Sequence, residues 1–300
     1  MANVLITGCS SGIGLATAVA LARAGHQVHA TMRNPGRAPA LRELVEKEKL
    51  PVTITTLDVD SDESVKEAFG AIRAEAGYID TLVNNAGIER MGSIEEMPLS
   101  DFKTCMETNY FGSLRCIKAC LPDMKQRRSG CIINVSSVAG RFSSSPATPY
   151  TASKWALEAL SEGLAQEVKP LNIRVALVEP GIISTAMAGR IADASTTESA
   201  YPHVRRFPRM FQAALATHRG PEIVADKIRE IIDGGTWQLR HPVGPDAQPF
   251  LDWRASMSDQ EWIEWGALDD DAWYARVQKD FGMDVRPKGG SARAQVNQKS

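Results

Sequence analysis

The stretch Thr7-Gly8-Cys9-Ser10-Ser11-Gly12-Ile13-Gly14 constrains the fold more than any other. Before it, Asn3 to Thr7 is an apolar, β-branched run that reads as a strand. After it, Leu15 to Ala24 reads as a helix closed by Gly25. A glycine turn between strand and helix leaves bare backbone and free N–H groups at the helix start, which suit a pyrophosphate. The spacing is Gly-x-x-x-Gly-x-Gly, not the Gly-x-Gly-x-x-Gly of the common dinucleotide fingerprint. On this stretch alone a purely structural turn stays open.

The alternation continues. Gln27 to Met32 reads as a second strand, Pro39 to Lys49 as a helix, Val52 to Leu57 as a third strand. Asp58-Val59 follows, and Asp60 or Ser61 suits the cap of the next helix, with Glu63 completing a capping box. Val65, Ala68, Phe69 and Ile72 give that helix one apolar face, and Gly77 ends it. Thr81-Leu82-Val83 is a fourth strand that runs into Asn84-Asn85-Ala86-Gly87. Such alternation predicts an α/β fold, a doubly wound parallel sheet with right-handed crossovers and helices on both faces. The end of the second strand bears on the ligand. An acid there takes the ribose hydroxyls of NAD, but here Met32 is followed by Arg33, with no carboxylate to repel a 2′-phosphate and a guanidinium to pair with it. NADP(H) is therefore expected, with the Ser10 hydroxyl as a second contact; an exposed arginine at a strand end is the plain alternative.

The second half carries candidate chemistry. Ser100 suits the cap of a helix reaching about Leu121, on which Phe102, Cys105, Met106 and Asn109 share one face. An amide on an apolar face is either a satisfied core residue or one aimed into a site. Cys131 to Val135 is a fifth strand ending in Ser136-Ser137, and Arg174 to Glu179 a sixth ending in Pro180-Gly181-Ile182-Ile183-Ser184-Thr185. Between them lies Tyr150-Thr151-Ala152-Ser153-Lys154. On a helix, Tyr150 and Lys154 leave the same face one turn apart. An ammonium there is expected to draw the phenol below its free pKa of ~10, making it a usable acid or base. An amphipathic surface helix would show the same spacing.

Together these residues resemble the short-chain dehydrogenase/reductase family in its single-domain form. The matches are Thr7-Gly8-x-x-x-Gly12-Ile13-Gly14, Asp58-Val59, Asn85-Ala86-Gly87, Asn109, Ser137, Tyr150-x-x-x-Lys154, and Pro180-Gly181 with Thr185, in family order from residue 3 to about 190. Ser137 rather than Ser136 is matched, because it stands thirteen residues before Tyr150. The resemblance implies a Rossmann-like sheet of seven strands in the order 3-2-1-4-5-6-7. Locally, Thr7 to Gly12 and Ala30 to Arg33 look closest to the 17β-hydroxysteroid and retinol dehydrogenase branch. It implies a catalytic set of Asn109, Ser137, Tyr150 and Lys154. Tyr150 would act as general acid and base, Lys154 would lower its pKa and hold the nicotinamide ribose, Ser137 would bond the substrate oxygen, and Asn109 would anchor a relay water. Gly8, Ser10, Gly12, Ile13 and Gly14 would cradle the phosphates and Asp58 and Val59 would meet adenine. Asn85, Ala86 and Gly87 would flank the riboses, and Pro180, Gly181, Ile183 and Thr185 would fix the carboxamide.

A catalytic domain is expected over 1–245, with a variable cover over 186–219 in which Met187, Phe207, Met210 and Phe211 suggest an apolar lid or ordinary core. Arg205-Arg206-Phe207-Pro208-Arg209 is either a solvated face or a cation for an acidic substrate group. A helix opens at Gly220-Pro221 and ends at Gly234-Gly235, and Trp237 to Arg240 is expected as strand seven. Residues 246–284 form a C-terminal extension with Trp253, Trp262, Trp265 and Trp273, for packing on the domain flank, a subunit interface or the pocket mouth; 285–300 is expected to be a disordered tail.

Lys and Arg number 34 against 36 Asp and Glu, a net charge of −2, which offers no basic field for nucleic acid and no polybasic run for a membrane surface. No stretch approaches the ~18–20 apolar residues of a span, and no leader is read at the N-terminus. Five scattered cysteines fit reduced core thiols of a cytoplasmic protein, and the five histidines show no zinc spacing, so no metal is expected. The expected function is an NADP(H)-dependent oxidoreductase interconverting a small hydrophobic secondary alcohol and its ketone; the family resemblance implies a homodimer or homotetramer through the Asn109 and Tyr150 helices. The alternatives are a non-catalytic cofactor-binding sensor or scaffold, and an isomerase or dehydratase on the same fold.

Overall fold

The computed structural model describes residues 1–194, 199–217 and 219–287. Residues 195–198 and 218 of the expected cover, and 288–300 of the expected tail, lie outside the described residues. The first half runs β1 (Asn3–Thr7), α1 (Gly12–Arg23), β2 (Gln27–Met32), α2 (Pro39–Glu48), β3 (Val52–Thr56), α3 (Asp62–Ala76) and β4 (Thr81–Asn84). Next come α4 (Leu99–Met106), a π-helical turn (Glu107–Phe111), α5 (Gly112–Arg127), β5 (Gly130–Val135), α6 (Thr148–Val168) and β6 (Ile173–Pro180). The chain ends with α7 (Ala186–Asp193), α8 (Pro202–Leu215), α9 (Glu222–Gly234), β7 (Arg240–Val243), α10 (Ala247–Ala255), α11 (Asp259–Ala267) and α12 (Asp270–Phe281).

Among the described residues, seven strands form one all-parallel sheet in the order β3-β2-β1-β4-β5-β6-β7. The period of two along each strand sorts its side chains between two cores. Ile6, Val83 and Ile133 go to the face covered by α1, α2 and α9; Leu5, Leu82 and Ile132 go to the face covered by α3, α5 and α6. β1 lies between β2 and β4, so the strand order reverses there. The crevice beyond the C-terminal ends at such a reversal is where open α/β sheets take their ligands.

Four local expectations are corrected. The helix expected from a Ser100 cap starts at Leu99 behind Pro98, with no side-chain cap, and runs through the π turn to Arg127. Ser61 caps α3 by accepting from the Ser64 N–H, which puts Ser64 where a capping box would need Glu63. Strand seven is Arg240–Val243, not Trp237 to Arg240. Val285 is buried, so chain expected in the tail packs against the extension.

In that extension Ser258 and Glu261 form a capping box at α11. Trp253, Trp262 and Trp265 stand with ring centroids 5.2–5.5 Å apart. The indole N–H groups of Trp253 and Trp265 both donate to Asp280 Oδ2 at 3.2 Å, which satisfies their polar edges inside an apolar cluster.

Candidate active site

The strand ends open on one cavity of about 740 Å³. Its floor at β1 is the glycine turn. Gly8 and Gly12 have φ of +74° and +57°, backbone that glycine adopts without strain. Ser11 places no side-chain cap on α1 and the first turn holds no acid, so the helix start is left to an anion. The Asn85–Ala86 loop closes on the turn from above. Asn85 Nδ2 donates to the carbonyls of Thr7 (2.9 Å) and Gly8 (3.1 Å), and the N–H groups of Asn85 and Ala86 both donate to Thr7 Oγ1 at 3.0 Å.

Gly8, Ser10, Gly12, Ile13, Arg33, Asp58, Val59, Asn85, Ala86 and Gly87 all line this end. Gly14 does not line it; it packs beneath, where a Cβ would meet Gly8 O at 2.4 Å. Arg37 joins Arg33 in the wall, and sequence reasoning missed it although it stands one turn on, past Pro35-Gly36. The cradle without side chains and the uncapped helix start fit the pyrophosphate of a dinucleotide.

The other end gathers the chemical side chains. Tyr150, in the first turn of α6, lines the cavity beside Ser137. Ser137 follows β5, accepts from the Ala139 N–H at 3.1 Å and donates to Pro180 O at 3.4 Å. Lys154 is buried one turn behind Tyr150, its Nζ donating to Val135 O at 2.8 Å and standing 5.7 Å from the phenol ring centre. Asn109 sits in the π turn, fully buried and fully satisfied. Its Oδ1 accepts from the Ile88 N–H at 2.8 Å, and its Nδ2 donates to Ile88 O at 2.9 Å and Ser153 Oγ at 2.8 Å. These bonds satisfy the side-chain amide and pin the loop that carries Gly87.

The electrostatics correct one expectation. Burial pushes the Tyr150 phenol up to about 12, against the opposing pull of the Ser137 hydrogen bond. Burial likewise lowers the Lys154 amine to about 8. Burial thus moves the two groups in opposite directions, each toward its neutral form.

Pro180, Gly181, Ile183 and Thr185 line the wall after β6. Thr185 caps α7 through the Ala188 N–H, and its Cγ2 lies 3.6 Å from where a Gly12 Cβ would be, so this loop meets the glycine turn. Asp246, unmarked in the sequence, holds the loop by accepting from the Ile182 N–H at 2.8 Å. Met187, Phe207, Met210 and Phe211 line the cavity, and so do Trp253, Trp262, Trp265 and Trp273, which puts the tryptophans at the pocket rather than on a remote flank. Arg190 and Glu89 pair at 3.0 Å between α7 and the loop after β4. Among the described residues no helix is long and apolar enough to cross a membrane.

A phosphate-binding floor at a strand-order reversal, with a phenol, a hydroxyl and an amine gathered at its far end, is the form of a dinucleotide-linked α/β oxidoreductase. The comparisons carry this to a family. Residues 2–196 match the family model described as short chain dehydrogenase. Over 200 residues the chain is 44% identical to retinol dehydrogenase 8 of Bos taurus, covering 65% of this chain and 63% of that one, so it spans under two thirds of that relative. It is 35% identical over 272 residues to the uncharacterized oxidoreductase YusZ of Bacillus subtilis, covering 88% and 95% of the two chains. A solved short-chain dehydrogenase from Streptomyces avermitilis superposes with a TM-score of 0.76 at 33% identity, covering 88% of this chain and 96% of that one. The chain belongs to the short-chain dehydrogenase family.

Proposed function

We propose that the protein is an NADP(H)-dependent oxidoreductase interconverting a hydrophobic secondary alcohol and its ketone. One observation carries the reading: Tyr150, beside Ser137 and backed by Lys154, lines the same cavity as the glycine turn and Arg33. A bound nicotinamide supplies or accepts the hydride. Tyr150 Oη delivers the proton to the forming alkoxide in reduction and takes it back in oxidation. The phenol is protonated at neutral pH and so enters reduction as the donor. The Ser137 hydroxyl donates to the substrate oxygen as charge grows there. Lys154 offers an N–H donor and a positive field behind the phenol, and Asn109 acts by positioning the Gly87–Ile88 loop. Arg33 and Arg37 support a 2′-phosphate over a bare ribose, and the apolar wall supports a hydrophobic substrate. Phe111 and Trp155, half-exposed beside Asn109 and on α6, support a homo-oligomer through those helices; light scattering on Trp155→Glu tests it, with dissociation expected.

Single-turnover oxidation of NADPH with a panel of hydrophobic ketones tests the main reading. Tyr150→Phe is expected to keep NADPH binding and lose ~100-fold or more in turnover. Full activity in that variant overturns the assignment, and NADPH binding without any net oxidation favours the scaffold.

A further inference from the structure

Arg206 has a place that the proposed chemistry does not use. It lies on α8 in the cavity wall, 3% exposed, with its guanidinium 5.6 Å from the centre of the Trp273 ring. Its Nε donates to Asp270 Oδ1 at 2.7 Å. Asp270 is half-exposed and also receives Arg205 at 3.4 Å, so it is not the partner of Arg206 alone. Arg206 Nη1 is buried and has no hydrogen-bond partner among the described residues. Its neighbour on the same helix, His203, is already bonded to Gly266 O at 2.8 Å. An arginine N–H can only donate, and a buried donor without an acceptor is costly. The side chains of Phe207, Met210, Trp265 and Trp273, which line the same cavity, carry no oxygen.

We infer that Arg206 is a specificity residue that receives a second oxygen of the substrate, apart from the reacting carbonyl, and that a carboxylate is the form it binds best. The inference rests on the oxidoreductase reading of the cavity and narrows its substrate to an apolar body bearing an acceptor. Charge favours the carboxylate, because a guanidinium sharing one half-exposed acid with a second arginine retains positive field for an anion. The aromatic wall sets the other half of the specificity, a long or fused apolar body, and the phenol end is left to the reacting carbon.

The test is binding, not turnover, so it answers even if the protein proves inert toward NADPH. The full-length protein is titrated with saturated fatty carboxylates of increasing chain length and with their methyl esters, followed by quenching of the cavity tryptophans. The wild type is expected to bind the best carboxylate about tenfold or more tightly than its ester, the worth of one charge-assisted hydrogen bond. Arg206→Met is expected to bring the carboxylate to the level of the ester while leaving the ester unchanged, which a merely structural defect would not do. Asp270→Asn, which keeps Arg206 and removes its acid, is expected to tighten the carboxylate alone. Equal binding of both series, a preference that survives Arg206→Met, an Asp270→Asn preference no larger than the wild type's, or no binding of either series overturns the inference.

Discussion

Asn109 and Ile88 bond to each other twice, the Asn109 Oδ1 accepting from the Ile88 N–H at 2.8 Å and its Nδ2 donating to Ile88 O at 2.9 Å. The π turn makes this possible, because the extra residue in the helix turns a side chain into the gap between α6 and the loop after β4. Asn109→Ala strands both backbone groups of Ile88 in a part-buried setting. Each such loss costs ~1–3 kcal/mol, so a destabilisation of ~2–4 kcal/mol is expected in urea unfolding, with weaker cofactor binding because Gly87 is no longer held. An unchanged midpoint would show that the clamp contributes nothing.

Lys154 gives a prediction in pH. Burial lowers its amine from 10.5 to about 8. Between those values the unfolded chain holds the proton and the folded protein does not, so this group's contribution to stability rises with pH across that window. Below it the fold carries a buried ammonium at a cost of ~3 kcal/mol. Lys154→Met removes that cost together with the bond to Val135 O. The free-energy difference, variant minus wild type, is therefore expected to fall steadily from about pH 8 to pH 10 in urea melts. A difference flat with pH would mean that the amine is not depressed.

Most of the fold was legible because the signals were local and repeated: apolar runs, glycine stops and strand-end turns, each in step with the next. β7 was misplaced because Pro242 reads against a strand, yet β7 is an edge, where a missing N–H is tolerated. The candidate site was legible as spacing but not as energy. Four residues between Tyr150 and Lys154 fix a shared helix face, whereas the desolvation that governs both pKa values depends on what β5, α4 and the loop after β4 bring alongside. Asp246 and Arg206 left no mark at all or only an ambiguous one, since nothing in a basic run distinguishes the arginine that turns inward. The four tryptophans announced a cluster, but its position at the cavity follows from α10–α12 folding back over the strand ends.

Arg33 and Arg37 give the third prediction. Both line the cavity past the end of β2, where no acid stands. Arg33→Ala and Arg37→Ala are each expected to weaken NADPH about tenfold, as one charge-assisted bond to a phosphate would, and to leave NADH within about twofold. Nicotinamide fluorescence reads both affinities. Loss of NADH and NADPH to the same degree would mean that the arginines act on something other than the 2′-phosphate.

Three glycines separate space from backbone conformation. At Gly14 a Cβ would lie 2.4 Å from Gly8 O and 2.5 Å from Asn85 Nδ2. Neither can retreat, because Asn85 Nδ2 is fixed by the carbonyls of Thr7 and Gly8, so Gly14→Ala must move the whole turn, at ~1–3 kcal/mol and with loss of cofactor binding. At Gly12 there is room, with Thr185 Cγ2 at 3.6 Å, but φ is +57°, so Gly12→Ala costs ~1–2 kcal/mol for the left-handed backbone alone. Gly163 lies inside α6 with nothing within 4 Å, so Gly163→Ala is expected to stabilise by ~0.5–1 kcal/mol through helix propensity. Thermal melts should therefore order the variants Gly163→Ala above wild type and both turn variants below it. NADPH titration should separate the two turn variants, with Gly14→Ala losing binding outright and Gly12→Ala only weakened. Binding by Gly14→Ala at wild-type strength would mean that the turn is not the phosphate cradle.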